Sequence, residues 1–377
     1  MSLTLRTISR EQHLEYIQSL PSASHCQVPA WGDVKSEWRA ESLGWFDPAG
    51  ELVGAGLVLY RQVNVKDIIK LNRYLAYMPE GPVINWHATN LDDWLQPMLA
   101  HLKKQGAFSV KMGPPVVIRR WEAPTIKKGI QDPDVKRLRD IEADVIEPRA
   151  FEVVERLRKM GWQQGEDGGA GFGDVQPRYV FQVPLANRSL DEVQKSFNQL
   201  WRRNIKKADK AGVEVVQGGY DDLPVWQELY EITAERDRFR PRPLSYFQQQ
   251  WKALNAEDPN RMRLYIAKHE GEPLAAATML TVGSHVWYSY GASVNHKREV
   301  RPSNAMQWRM LRDAYALGAS VYDLRGISDT LDETDHLFGL IQFKVGTGGE
   351  AVEYIGEWDF PLNKVLQKGF DYWMSKR

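Results

Sequence analysis

One lysine of this 377-residue chain stands in a distinctive neighbourhood, Phe343-Lys344-Val345-Gly346-Thr347-Gly348-Gly349-Glu350, followed by Val352-Glu353-Tyr354-Ile355-Gly356. Three glycines within four positions permit close approaches that side chains would block. A cation beside such a segment can neutralise a developing oxyanion, or it can be an ordinary solvated turn lysine. Other chemistries lack their equipment. There is no His-Glu-x-x-His, no cysteine pair, and no two of the eight histidines at metal-ligand spacing, so no metal is expected. A Walker loop and a Gly-x-Ser-x-Gly elbow are also missing. No residue's context singles it out as a general base, and substrate hydroxyls or water can serve; His336, close to the lysine, is a candidate, although an isolated histidine is more often structural.

A second concentration of charge lies upstream. Ser189-Leu190-Asp191-Glu192 is a capping box, and Leu190, Val193, Phe197, Leu200, Trp201, Ile205 and Ala208 recur at helical spacing. That predicts one helix ending near Gly212, with these residues as its buried face. The opposite face carries Lys195, Arg202, Arg203, Lys206, Lys207 and Lys210, partly offset by Asp209. Such a stripe is either a solvated surface or a contact for a polyanion such as tRNA phosphates. Lys plus Arg and Asp plus Glu both total 49, so any contact with nucleic acid must come from a local patch of this kind.

The elements that must position these residues show a weak internal repeat. Gly50-Glu51-Leu52-Val53-Gly54 resembles Gly271-Glu272-Pro273-Leu274-Ala275, each a turn opening an apolar strand. Later in each half a helix, a Gly-Ala pair (Gly106-Ala107, Gly318-Ala319) and a strand recur in the same order. Each half reads as a hairpin, a third strand, a helix and a fourth strand. This is an α/β (α+β) pattern like the core of the N-acetyltransferase (GNAT) fold, and two copies would form tandem subdomains with a cleft between them. The expected division is 1–178 for the first subdomain and 179–356 for the second. The glycine-rich stretch Gln164 to Pro177 follows a helix and precedes a strand, the reverse of a dinucleotide loop, and reads as a linker or hairpin.

With 43% hydrophobic and 26% charged residues, the chain has enough apolar material for two or three cores. Cys26 is the only cysteine, and the first residues lack the apolar run of a signal peptide. No apolar stretch approaches the ~20 residues that span a bilayer. A cytoplasmic location is therefore expected, with any membrane contact peripheral. A coenzyme A user of the GNAT type would place glycine before the helix of its core to hold pyrophosphate. This chain has Arg301-Pro302-Ser303 there, which disfavours coenzyme A.

The motif around Lys344 resembles the terminal motif of the Fem family, tRNA-dependent peptidoglycan-bridge aminoacyltransferases typified by FemX. Further family-like elements follow in order: Trp31-Gly32-x-x-Lys35, Gln176-Pro177-Arg178, Arg202-Arg203-Asn204-Ile205-Lys206-Lys207-Ala208, Arg242-x-x-x-Tyr246 and Trp287 to Ser293. Larger members insert a helical arm in the second half. Here the helix from Arg242 to Leu254 runs directly into the strand from Met262, so the resemblance is to the compact FemX-like type. The resemblance also implies that 357–377 returns to the first subdomain.

The resemblance implies transfer of an amino acid from aminoacyl-tRNA to the stem-peptide amine of a peptidoglycan precursor, either lipid II or UDP-MurNAc-pentapeptide, with no cofactor. It places Lys35, Arg242 and Tyr246 at positions that hold the precursor. Tyr288 or Tyr290 would be a further substrate contact, both expected on one face of a strand. Lys344 would neutralise the charge developing at the ester, while Phe343 would exclude water and support the terminal adenosine or ribose. Arg202, Arg203, Lys206 and Lys207 are the expected tRNA contacts. The chain departs from the compact pattern at Gly113, where relatives place an aspartate, and at Phe108, where a tyrosine is expected. Glycine is the working expectation for the amino acid. Two other enzymatic readings stay open, a GNAT-type transferase using an acyl thioester and a tRNA-dependent ligase acting on a small peptide. A third is a non-catalytic RNA-binding module.

Overall fold

A computed structural model describes residues 3–65, 69–165 and 175–374. Gly168, Gly169, Gly171 and Gly173 of the expected linker lie outside the described residues. The chain divides into two units, Met1–Arg119 with Val145–Arg178 and Glu353–Arg377, and Arg120–Asp144 with Tyr179–Val352.

The first unit runs through the strand Thr4–Thr7, the helix Arg10–Ser19, the strands Arg39–Phe46, Leu52–Val65 and Ile69–Met78, the helix Asp92–Lys104 and the strand Ala107–Met112. The first four strands pair antiparallel in sequence order. Ile69–Met78 then pairs parallel with Ala107–Met112, a connection that requires a crossover, supplied by Asp92–Lys104. Trp358–Pro361 adds antiparallel to Ala107–Met112, and the short strand Gln163–Gln164 pairs antiparallel beyond it at the edge.

The second unit repeats the order. Its elements are the strand Glu214–Gly218, the helices Leu223–Asp237 and Leu244–Glu257, the strands Met262–His269, Glu272–Val282 and His285–Ser293, the helix Pro302–Ala316 and the strand Val321–Gly326. His285–Ser293 and Val321–Gly326 form the parallel pair, and Tyr179–Pro184 lies antiparallel beyond it. The duplicated turns also agree in backbone. Gly50 and Gly271, and likewise Gly106 and Gly318, all adopt positive φ between 77° and 88°, the region where a Cβ is penalised.

Period-two alternation assigns side chains to the two faces of the second sheet: Tyr265 and Ala267 enter one cluster with Phe181, Trp201, Met310 and Tyr322, while Leu264 and Ile266 enter another with Trp226, Tyr230 and Phe247. The first unit has its own core around Trp45, Tyr60, Met98, Val110 and Trp358. Each of these large side chains contributes roughly 1.5–3 kcal/mol on burial.

Two boundaries differ from the sequence reading. Residues 120–144 group with the second unit, because Trp121, Ile126 and Leu138 are buried in its core. Arg137 also pairs with Asp329 at 3.3 Å. Glu353 joins the first unit, where it pairs with Arg119 at 2.8 Å and Arg178 at 3.0 Å. The single helix expected from Ser189 is two helices, Leu190–Ser196 and Gln199–Lys210. Asn198 breaks it by capping the second, its side chain accepting from Trp201 N at 2.8 Å. The turn this introduces leaves Leu200 49% exposed instead of buried.

Candidate active site

Lys344 belongs to the last turn of the helix Phe338–Val345, and the glycines begin immediately after it. Their neighbours are protein. A Cβ on Gly346 would overlap the Trp201 indole, one on Gly348 the backbone of Ser196, and one on Gly349 the Gln182 carbonyl. The glycine run is therefore the seat of the basic helix pair. Asn198 N donates to Gly346 O at 2.8 Å, and Trp201 Nε1 donates to Phe343 O at 2.9 Å. The rings of Trp201 and Phe343 lie 4.8 Å apart. Phe343, expected to support a ribose, packs its half-buried ring against Trp201 and the core.

Lys344 is 4% exposed. Its Nζ donates to Gly326 O at 2.7 Å and Arg325 O at 3.3 Å. An ammonium has three donors, and the third has no acceptor among the described residues. Burial pushes the amine down from the ordinary lysine range to about 7; Asp323 opposes the shift and the like charge of Arg325 adds to it. Asp323 is itself 1% exposed. It accepts from Arg325 N at 2.6 Å, Gln182 Nε2 at 3.1 Å and His285 Nε2 at 3.2 Å. Burial works to raise its carboxyl, but His285 and Arg325 outweigh it through their hydrogen bonds and charge and hold the group below the usual carboxylate value. Sequence reasoning passed over this residue; an apolar strand carrying a central aspartate, Val321-Tyr322-Asp323-Leu324, is the signal that could have found it.

The basic face is presented as expected. Arg202, Arg203, Lys206 and Lys207 are all exposed, while Trp201, Asn204, Ile205 and Ala208 are buried. Because Trp201 rests on Phe343, the cationic surface and Lys344 are built on contiguous packing within one unit.

Arg242, Tyr246 and Tyr290 come together. The guanidinium lies 4.5 Å from the centre of the Tyr246 ring and is hydrogen-bonded to the Tyr290 side chain. Tyr230 and Phe247 wedge the Tyr290 ring from the core side at 6.1 and 5.3 Å. Tyr288 does not join them. Thr278 faces Tyr290 and Met279 faces Tyr288, so Ser289 is the extra residue of a β-bulge. The bulge resets the alternation and sends Tyr288 to the opposite side of the sheet, against the cluster of Phe181 and Tyr322. Burial pushes its hydroxyl up to about 12, less a contribution from a hydrogen bond with Gln307. The common face expected for the two tyrosines is thus corrected. Lys35 caps the short helix Trp31–Val34 in the first unit, its Nζ 5.5 Å from the centre of the Trp31 ring.

Sequence reasoning missed a buried polar group in the first unit. Glu357 is 2% exposed and accepts from Tyr77 Oη at 2.5 Å and Val175 N at 2.9 Å, with Lys111 Nζ at 3.9 Å. A Cβ on Gly113 would approach its Cγ to 3.4 Å. Nothing in the spacing of Gly356-Glu357-Trp358 marks this carboxylate, whose partners lie far away in the chain. His336 is 84% solvent-exposed at the side chain and 3.4 Å from Asp335. His25, Cys26 and Glu80 offer ligand atoms within 4.8 Å of one another. Within that group Cys26 Sγ meets His25 Nε2 at 3.5 Å, and Ser24 Oγ donates to Glu80 at 2.5 Å. The helix Pro302–Ala316 starts from Arg301 at φ 60° with proline as its first residue. Among the described residues no helix is long and apolar enough to cross a membrane.

The model of the FemAB family matches residues 8–258 and 249–374. Lipid II:glycine glycyltransferases of Staphylococcus epidermidis and Staphylococcus aureus are each 24% identical to this chain over 431 and 427 aligned residues, covering 95% of it and 93% of each relative. Among solved structures, FemX is 23% identical and superposes with a TM-score of 0.78 over 97% of this chain and 98% of its own. A tandem GNAT protein from the clavulanic acid biosynthesis pathway, 12% identical, reaches 0.51 over 96% and 99%. The duplicated fold and these matches lead to one conclusion: the chain belongs to the FemAB family.

Proposed function

We propose that the chain transfers an aminoacyl group, glycine in the first instance, from aminoacyl-tRNA to a stem-peptide amine of a peptidoglycan precursor. The observation that carries this reading is the desolvated Lys344, with two N–H groups on backbone carbonyls and a third directed to no protein acceptor among the described residues. The names of the staphylococcal relatives support lipid II as acceptor and glycine as cargo. In the reaction the acceptor nitrogen bonds to the ester carbonyl carbon and loses a proton. The bond to the ribose oxygen breaks, and that oxygen leaves with a proton. The ester is already activated, so alignment of amine and carbonyl supplies much of the rate. Lys344 stabilises negative charge first on the carbonyl oxygen and then on the ribose oxygen.

Arg242, stacked on Tyr246 and tied to Tyr290, offers a planar fork for the precursor diphosphate. Arg242→Ala is expected to raise KM for the precursor about tenfold or more with a smaller change in kcat, as measured by steady-state kinetics at saturating donor. An equal fall in kcat and kcat/KM would remove Arg242 from ground-state binding.

The exposed basic face predicts salt-dependent tRNA binding. Changing Arg202, Arg203, Lys206 and Lys207 to alanine is expected to weaken binding and to flatten the plot of log affinity against log salt by roughly one unit for each phosphate no longer neutralised. An unchanged slope would place the tRNA elsewhere. The whole reading is tested by incubating the protein with a mixture of charged tRNAs and either lipid II or UDP-MurNAc-pentapeptide, and identifying products by mass. Absence of any aminoacylated precursor would overturn it.

A further inference from the structure

Asp323 has no place in the chemistry above, yet it is the most completely enclosed carboxylate beside Lys344. It lies within Val321–Gly326, the strand whose last two carbonyls, those of Arg325 and Gly326, hold the lysine nitrogen. Its Oδ1 accepts from Arg325 N at 2.6 Å. That bond pins Arg325 at φ 62°, a conformation an arginine seldom adopts. The turn so fixed is what aims the two carbonyls at the ammonium. Oδ2 is held from the other side by Gln182 and by His285, whose ring is stacked on Trp287 with centroids 4.1 Å apart. Both carboxylate oxygens are thus occupied by donors that keep it ionised. The charged groups acting on Lys344 are Asp323, of opposite sign, and Arg325, of like sign.

We propose that Asp323 is a positioning residue for Lys344: it fixes the Arg325–Gly326 turn that cradles the amine, and it supplies the buried counter-charge that keeps the nitrogen protonated for the transfer step. This rests on the catalytic reading of Lys344. The physical reason for a carboxylate one position removed from the lysine's own hydrogen bonds is that a direct ion pair would occupy the third N–H. A charge held behind the cradle favours the cation while leaving that donor for a substrate oxygen.

The test is independent of turnover. In the full-length chain labelled with 13C at lysine Cε, the Lys344 resonance is identified by its loss in Lys344→Met and followed from about pH 5 to 10, a range that brackets a buried and an ordinary lysine. Asp323→Asn keeps an acceptor for Arg325 N but removes the charge. It is expected to lower the proton affinity of Lys344 about tenfold, a shift of about one pH unit. The alkaline limb of kcat/KM moves with it, so that the loss of activity is greater at about pH 8 than at about pH 6. A Lys344 titration that stays where it was overturns the proposal, whatever happens to activity. Should Asp323→Asn fail to fold, the double variant with Lys344→Met decides. If Asp323 serves the lysine, removing the buried cation restores folding, because no uncompensated charge remains. A double variant that stays unfolded shows that Asp323 supports the fold for another reason and overturns the proposal. A titration that moves as expected in a protein yielding no transfer product retains this inference and discards the proposed reaction.

Discussion

Lys344→Ala is expected to lower transfer at least ~10²-fold in a purified assay while the chain still folds, the scale on which removal of one oxyanion partner is felt. The ammonium sits where water does not screen it, so the charge it offers a reacting oxygen exceeds that of a surface lysine. Deletion leaves the carbonyls of Arg325 and Gly326 without their donor, which weakens the local fold but spares the apolar cores on either side. Wild-type turnover in this variant would remove Lys344 from the mechanism.

The same group gives the reaction and the fold distinct pH signatures. With the amine at about 7 in the folded chain, a mechanism that needs the cation loses kcat/KM as pH rises through that value, and Lys344→Met abolishes this limb. Stability follows the difference in bound protons between the unfolded and folded states. The unfolded lysine holds its proton up to about 10.4, so between about 7 and that value the unfolded state binds more protons. Stability therefore rises with pH in this window, and the penalty is fully present below it. Denaturant titrations at about pH 7 and about pH 9 are expected to show a gain for the parent that Lys344→Met lacks. Parallel pH dependences in the two proteins would place the amine in water.

Gly348→Ala is expected to destabilise the chain by about 3 kcal/mol or more, combining left-handed backbone strain of ~1–2 kcal/mol with overpacking of ~1–3 kcal/mol. Gly348 has φ 70°, and its added Cβ would overlap the Ser196 backbone, which is not a side chain that can swing aside. Gly271→Ala is the control: its φ is 82° but nothing lies within 4 Å of an added Cβ, so only the strain of ~1 kcal/mol remains. The difference is read from denaturant midpoints at unchanged slope. Equal losses in the two variants would mean that the glycine run does not seat the helix pair. Because Trp201 and Phe343 share that seat, Gly348→Ala should also displace Lys344 and reduce transfer beyond the unfolded fraction.

Much of the fold was legible because its signals are local. Turn glycines at Gly50, Gly106, Gly271 and Gly318 mark positions that only their backbone conformation permits, and apolar strands and helices between them repeat in one order. The basic face of Gln199–Lys210 was equally readable, since helical spacing alone separates Arg202, Arg203, Lys206 and Lys207 from Trp201 and Ala208. The break at Asn198 was missed because its capping bond to Trp201 competes with an uninterrupted helical pattern, and spacing cannot rank the two.

The tyrosines show where local reasoning stops. Period two holds for a regular strand, but the bulge at Ser289 depends on how His285–Ser293 registers against Glu272–Val282, which is a property of two strands. Glycines after Lys344 suggest room for a substrate, whereas the atoms that fill their space come from Trp201, Ser196 and Gln182, in segments far earlier in the chain.

By itself the sequence determined the duplicated architecture, the exposed cationic helix and the lysine at the end of the second half, since each follows from spacing and turn chemistry over a few residues. Only the tertiary structure decided that this lysine is dry, that Asp323 stands behind it, and that Tyr288 and Tyr290 part company. Burial, counter-charge and strand register arise from segments far apart in the chain meeting in space, and no local pattern encodes those meetings.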